Sequence, residues 1–246
     1  GKENRKIMTE NSNILIQSLY LIASFNDDLM EIIGLSLYVS LSALTLAALI
    51  GFPLGSMLAT KKFFGSTLLN VIINAFMGLP PVVVGLFVYM LLSRNGPLGV
   101  LGLLYSSEAM IIAQTILIFP ILAALSRQVI EEMNREYGEF FNSLRLGATQ
   151  RIKTLLWESR ISLLTVLLAG FGRAIAEVGA VMIVGGNIEH STRTMTTSIQ
   201  MEIGKGNLEL AMALGIILLI ISLSINMLMQ FIKSHYLKIQ EGYRDE

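Results

Sequence analysis

Cysteine is absent from the 246 residues, which removes disulfides, thiol nucleophiles and thiolate metal sites together. Charge is scarce as well. Asp, Glu, Lys and Arg make up 15% of the chain, against about 25% in an average soluble domain. That is too little to cover a globular surface, so a soluble enzyme and a disordered chain are excluded. Only two histidines occur, His190 and His235, far apart and outside the apolar runs, so no His-based metal site is indicated. Basic and acidic residues balance at 18 each, which gives no basic patch for nucleic acid. What the chain has instead is apolar residues, 53% of the total, with a mean hydropathy of +0.65. These values describe an all-α integral membrane protein.

A helix needs roughly 20 apolar residues to cross a hydrocarbon core of about 30 Å. Ile32 to Thr60, Phe63 to Ser93 and Leu210 to Ile232 contain no ionisable group. Ala109 to Ser126 is shorter and is extended by Leu101 to Tyr105, while Ile161 to Val184 is interrupted by Arg173 and Glu177. The reading is five transmembrane helices at about 32–60, 67–93, 101–126, 161–185 and 208–232, within one permease-like membrane domain over 28–246. Residues 1–27 form a tail outside that domain. Within it, Ile14 to Phe25 is apolar but short, and an interfacial helix, a cleaved signal and a sixth span compete. Length favours the interfacial helix, and Ala23-Ser24-Phe25 is a poor cleavage site. With five spans, eleven Lys and Arg fall on the C-terminal side of the membrane and six on the other. The positive-inside rule then places the N-terminus out and the C-terminus in.

Three places break the rules of a lipid-facing helix. The loop 127–160 carries six basic residues and five glutamates, with Phe140, Phe141, Leu144, Leu146, Ile152, Leu155 and Leu156 at helical spacing between them. It reads as two short amphipathic helices joined at Gly147-Ala148-Thr149, either a docking surface or a solvated connection. Arg173 and Glu177 stand four apart inside the fourth span and share one helix face. A lone charge there costs about 3 kcal/mol on insertion scales, so the pair belongs in the bundle interior or beside a water-filled path. It is either a structural lock or, through Arg173, a lining group for an anion. The third place runs from Gly185-Gly186-Asn187 to Asn207 on the outer side, where a hydroxyl-rich run surrounds Arg193. Asn187, Arg193, Thr194, Thr196 and Thr197 are candidates for an outer gate or docking surface, with ordinary surface hydroxyls as the alternative. Gly78-Leu79-Pro80-Pro81 should break or kink the second span, and Gly51-Phe52-Pro53 should do something similar in the first. There is no G-x-x-x-x-G-K-[ST] run, since Gly204-Lys205-Gly206 is not one. Any ATP-driven step needs a nucleotide site on another polypeptide.

Several of these segments together resemble a known family. Leu146-Gly147-Ala148 after Glu139 and Phe140-Phe141, GFGRAIAEVGAVMIVGGNI (170–188), TRTMTTSI (192–199), IGKGN (203–207), MGLPPVVVGLFVY (77–89) and LSRNGPLG (92–99) occur in the order found in tungstate-type ABC importer permeases. Those permeases are relatives of the molybdate and sulfate permeases, of the small type I class. The chain departs from the usual spacing by placing Phe141 six positions before the Gly, where a Glu is common.

The resemblance implies an inner-membrane permease that imports an oxyanion, tungstate first and molybdate next, by alternating access in a homodimer. It implies a separate ABC ATPase dimer on the cytoplasmic side, holding ATP and Mg, with no cofactor on this chain. It also implies an extracytoplasmic oxyanion-binding protein. Glu139, Phe140, Phe141, Leu146, Gly147, Ala148 and Thr149 would then be the ATPase-coupling segment, and Arg173 and Glu177 would lie on the translocation pathway. Sulfate, thiosulfate or phosphate are alternative cargoes, and an ATP-independent secondary anion transporter is the alternative mechanism. An intramembrane enzyme is a poor fit, because Arg173 and Glu177 alone make no catalytic set.

Overall fold

A computed structural model describes residues 16–20, 22, 27–61, 63–144 and 146–242, with side chains as far as His235. Among the described residues no strand occurs. The helices are α1 (Asp27–Thr60), α2 (Ser66–Phe76), α3 (Pro81–Leu92), α4 (Ser107–Ser143), α5 (Ala148–Glu158), α6 (Arg160–Ile175), α7 (Gly179–Gly185), α8 (Met195–Lys205) and α9 (Leu208–Gly242). Three of them are long and apolar enough to cross a membrane: α1, α4, and α9 through His235. Two bent pairs, α2 with α3 at 105° and α5 with α6 at 73°, raise the count to five at most.

The second span is a broken one. Its α2 half ends at Phe76, and α3 starts with Pro81 in its first position, where a missing N–H leaves no helical bond unmade. Pro53 behaves otherwise. It lies inside α1, which runs unbroken from Asp27 to Thr60, so of the two expected effects, a break or a kink, the break does not occur in the first span. A single lost N–H is tolerable where the helix is clamped by a neighbour.

That neighbour is α4. Val39, Ala43, Ala47, Gly51 and Gly55 recur every fourth residue on α1 and are all buried. This stripe lets two backbones approach as only small residues allow. A Cβ on Gly51 would stand 3.1 Å from that of Leu122, and one on Gly55 would stand 2.6 Å from the Ala123 carbonyl oxygen and 2.9 Å from the Arg127 nitrogen. The Ser126 hydroxyl crosses the seam to the Gly51 carbonyl at 3.4 Å. The main core continues from this seam to Val84 and Val88 of α3, Leu163 and Val166 of α6, and Val181 and Val184 of α7.

Two further expectations need correction. The helix of the third span does not end with the apolar run near 126: α4, 37 residues long, continues to Ser143. At about 1.5 Å per residue it is about 25 Å longer than a hydrocarbon core. The first of the two expected amphipathic helices is therefore the distal end of α4. The fourth span is not one helix over 161–185, because α6 stops at Ile175 and α7 restarts at Gly179. The proposed interfacial helix at 14–25 lies partly outside the described residues. Residues 16–20 within it are helical, and buried Ser18 donates to the Glu209 carbonyl at the start of α9 (2.9 Å).

Candidate functional site

The interruption between α6 and α7 is where polar chemistry collects inside the bundle. A helix end leaves carbonyls and N–H groups without intrahelical partners, and in an apolar medium each must be satisfied. The Ala174 carbonyl accepts from the Glu177 N–H at 3.2 Å and from the Gln114 side-chain amide at 3.1 Å. The Glu177 carbonyl accepts from the Thr196 hydroxyl at 2.8 Å. The Glu177 carboxylate takes the Ala180 N–H at 3.0 Å and so caps the start of α7. Its other oxygen pairs with Arg173 at 2.5 Å. Four side chains from three separated segments thus hold open a gap that a lipid-exposed helix could not sustain.

The pair is asymmetric. The Glu177 side chain is 3% exposed and the Arg173 side chain 31% exposed. The carboxylate is the anchored partner, and the guanidinium reaches from it to the surface of the single chain. Gln114 lies seven residues into α4, about 10 Å from its start, so Ala174 and the break sit about two helical turns in from that end of the bundle. Sequence reading missed Gln114. The available signal was an amide within the otherwise apolar and hydroxyl-bearing run Ala109–Ser126. Its oxygen has no hydrogen-bond partner although the residue is 3% exposed.

The hydroxyl-rich segment over 191–198 joins this network instead of forming a surface loop. Thr194, Thr196 and Thr197 are buried, with the latter two in the first turn of α8. The Thr197 hydroxyl receives the Thr194 N–H at 3.0 Å, and Ser36 of α1 receives the Met195 N–H at 2.7 Å. The three threonines therefore face inward in this chain, while Arg193 stands apart, paired with Glu189 at 2.8 Å. Asn187 adopts a left-handed backbone, φ 51°, and its amide meets the Met201 sulfur at 3.2 Å. Thr192 bonds the Gly185 carbonyl and closes the turn between α7 and α8.

At the opposite end, α5 folds back on the extension of α4. The Arg151 guanidinium donates to Asn134 at 2.8 Å and to Asn142 at 3.0 Å, and it lies 5.9 Å from the centre of the Phe141 ring. Phe141 is buried with Ile130 and Leu155, and Leu146 packs on them. Glu139, Phe140, Gly147, Ala148 and Thr149 are exposed, and Trp157 is 66% exposed. The structure thus sorts the expected coupling residues into an inner set that fixes α5 and an outer set that faces away from the bundle.

Known proteins give this arrangement a context. Residues 51–238, more than half of the chain, match the family described as "Binding-protein-dependent transport system inner membrane component". A "Probable anion ABC transporter permease protein" of Haloferax volcanii is 42% identical over 205 residues, 81% of this chain and 88% of that protein. The "Tungstate uptake system permease protein TupB" of Peptoclostridium acidaminophilum is 41% identical over 209 residues, 85% and 92% of the two lengths. A "Molybdenum transport system permease protein ModB" of Haemophilus influenzae is more distant, 28% identical over 176 residues, 68% and 77% of the two.

Proposed function

The chain belongs to the inner-membrane components of binding-protein-dependent transport systems, and from that membership we propose that it is the permease of an ATP-driven importer for tungstate, with molybdate as second cargo. The observation that carries the cargo is the likeness to a tungstate permease at 41% identity over 85% of the chain, against 28% for a molybdate permease. The geometry supports the class. A secluded polar break at Arg173, Glu177, Gln114 and Thr196 lies in the bundle, and an exposed lateral helix, α5, lies at the far end.

In this reading the 28–246 domain spans the membrane five times, with α6, the break and α7 as the fourth passage. The N-terminus is outside and the C-terminus inside, which puts α5 in the cytoplasm. Two copies enclose the pathway, and Arg173 lines it, since its guanidinium extends from the buried carboxylate to the surface of the single chain. A separate ATPase dimer, holding ATP and Mg, grips Phe140, Ala148, Thr149 and Trp157. The Arg151, Phe141 and Leu155 packing passes its movement to α4 as a rigid-body shift. The inward hydroxyls of Thr194, Thr196 and Thr197 then act at the outer gate by holding the break, and an extracytoplasmic binding protein supplies the oxyanion.

The test is reconstitution of this chain with its ATPase and binding protein in liposomes. ATP-dependent tungstate uptake, competed by molybdate more weakly and by sulfate least, is expected. Uptake that proceeds without the ATPase overturns the class, and sulfate competing best overturns the cargo. Because the chain lacks cysteine, one introduced at Thr149 and labelled only from the ATPase side checks the orientation.

A further inference from the structure

The end of the molecule that carries the 93–106 connection has two polar regions of different character. On one side Asp28, Glu31 and Glu189 gather with His190 and Arg193, so that acidic and basic groups are mixed. On the other, α3 and the connection enclose a cavity of about 610 Å³ with no acidic residue in its lining. At ~30 Å³ per water this is room for about twenty waters, enough for a tetrahedral oxyanion with much of its hydration shell. The polar wall is Tyr89, Ser93, Arg94, Asn95 and Tyr105. The other described basic residues at this end are neutralised, Arg193 by Glu189 and Lys205 by Glu202, each at 2.8 Å. Among the described residues there, Arg94 is the cation outside any ion pair.

The wall is preformed. The Gly96 N–H donates to the Ser93 carbonyl at 2.8 Å, the Leu98 N–H to Leu91 at 3.0 Å and the Gly99 N–H to Gly96 at 3.1 Å. A Cβ on Gly96 would stand 2.6 Å from the Leu91 carbonyl oxygen and closer still to that of Met90, so glycine alone lets the connection fold onto the end of α3. Tyr105 stacks edge-on against Tyr89 with ring centres 6.3 Å apart, and its N–H donates to the Val184 carbonyl at 2.9 Å. The far wall is thereby fastened to α7, the helix that Glu177 caps.

We propose that this cavity is an outer receiving site for the tetrahedral oxyanion, with the Arg94 guanidinium holding the charge and Asn95, Ser93 and the tyrosine hydroxyls donating hydrogen bonds. The proposal rests on the oxyanion-import reading and adds a place on the chain where the cargo stops first. A guanidinium presents two parallel N–H groups to an oxyanion. Its exposure to water screens the attraction and keeps the hold brief, as a conduit requires. On the other side Glu189 is paired with Arg193 and Glu31 with His190, so the open Arg94 guanidinium is the stronger attractor of a dianion at this end.

The test measures tungstate alone, by equilibrium dialysis at low ionic strength, against the permease–ATPase complex in neutral-lipid nanodiscs without the binding protein. Wild type binds with an affinity that falls as salt rises. Arg94→Gln weakens binding about 10–100-fold, the loss expected for a charge-assisted hydrogen bond, and Arg94→Lys retains more than Arg94→Gln. Tungstate binding unchanged in Arg94→Gln overturns the site. So does a variant that loses capture of the empty binding protein while keeping tungstate, because Arg94 is then a protein-docking contact. The two readings fail separately: a wild-type complex that imports no tetrahedral oxyanion with ATP sinks the importer itself, whereas normal wild-type uptake with unaltered dialysis for Arg94→Gln sinks only this cavity.

Discussion

Removing Arg173 and Glu177 singly and together separates a structural lock from a pathway residue. The carboxylate is 3% exposed and the guanidinium 31%, at 2.5 Å. Breaking a fully buried pair costs about 3–5 kcal/mol, but water reaches the arginine, so the charged hydrogen bond is taken at the low end, about 1.5 kcal/mol. Arg173→Ala should cost that much, leaving a stranded carboxylate. Glu177→Ala strands the guanidinium and also removes the cap on Ala180, itself worth about 1 kcal/mol, so about 2.5 kcal/mol is expected. The double variant strands no charge and loses only the cap, about 1 kcal/mol. The interaction energy across the cycle is then about 3 kcal/mol, at the upper end for contacting residues. Equilibrium unfolding of the purified chain in mixed micelles, followed by circular dichroism, measures it. A coupling under about 0.5 kcal/mol refutes the geometry of the break. Uptake by the same variants decides the role: a pathway arginine leaves the double variant stable but inactive, whereas uptake that recovers with stability reduces the pair to a lock.

Gly55→Ala places a methyl 2.6 Å from a backbone carbonyl of α4, so α1 and α4 must separate, with an expected loss of about 1–3 kcal/mol in the same unfolding assay; an unchanged midpoint refutes the close approach. The His190 Nδ1–H donates a 2.7 Å bond to the Glu31 carboxylate, joining the α7–α8 turn to the start of α1. The Glu31 hydrogen bond, then its charge, raise the imidazole above its ordinary value. The group binds its proton more tightly in the folded state, so the clasp is fully present below about pH 6.5 and is lost as pH rises through the raised value. A histidine NMR titration should show the elevated midpoint and its return toward about 6.5 in Glu31→Gln; a midpoint insensitive to that substitution removes the clasp.

Much was legible in the residue order because it depends on neighbours along the chain. Long uncharged runs fix membrane residence, since lipid excludes charge over about 20 residues. Pro80 and Pro81 break the second span, since neither can continue a preceding helix: each lacks the N–H that would bond back one turn, and each disfavours the helical region for the residue before it. The alternation of charge and apolar residues over 127–160 marks an amphipathic segment, and the Arg173 and Glu177 spacing marks an i, i+4 pair. The tertiary structure decided the rest. Pro53 is carried through α1 because a stripe of small residues presses that helix onto α4. The fourth passage opens after Ile175 where its freed carbonyls meet Gln114, 60 residues before Ala174, and Thr196, 19 residues beyond Glu177. The hydroxyls of 194–197 turn inward for the same reason. Local periodicity reports which face of a helix is apolar; whether a backbone group inside the membrane can go without its helical partner depends on donors that only folding brings near.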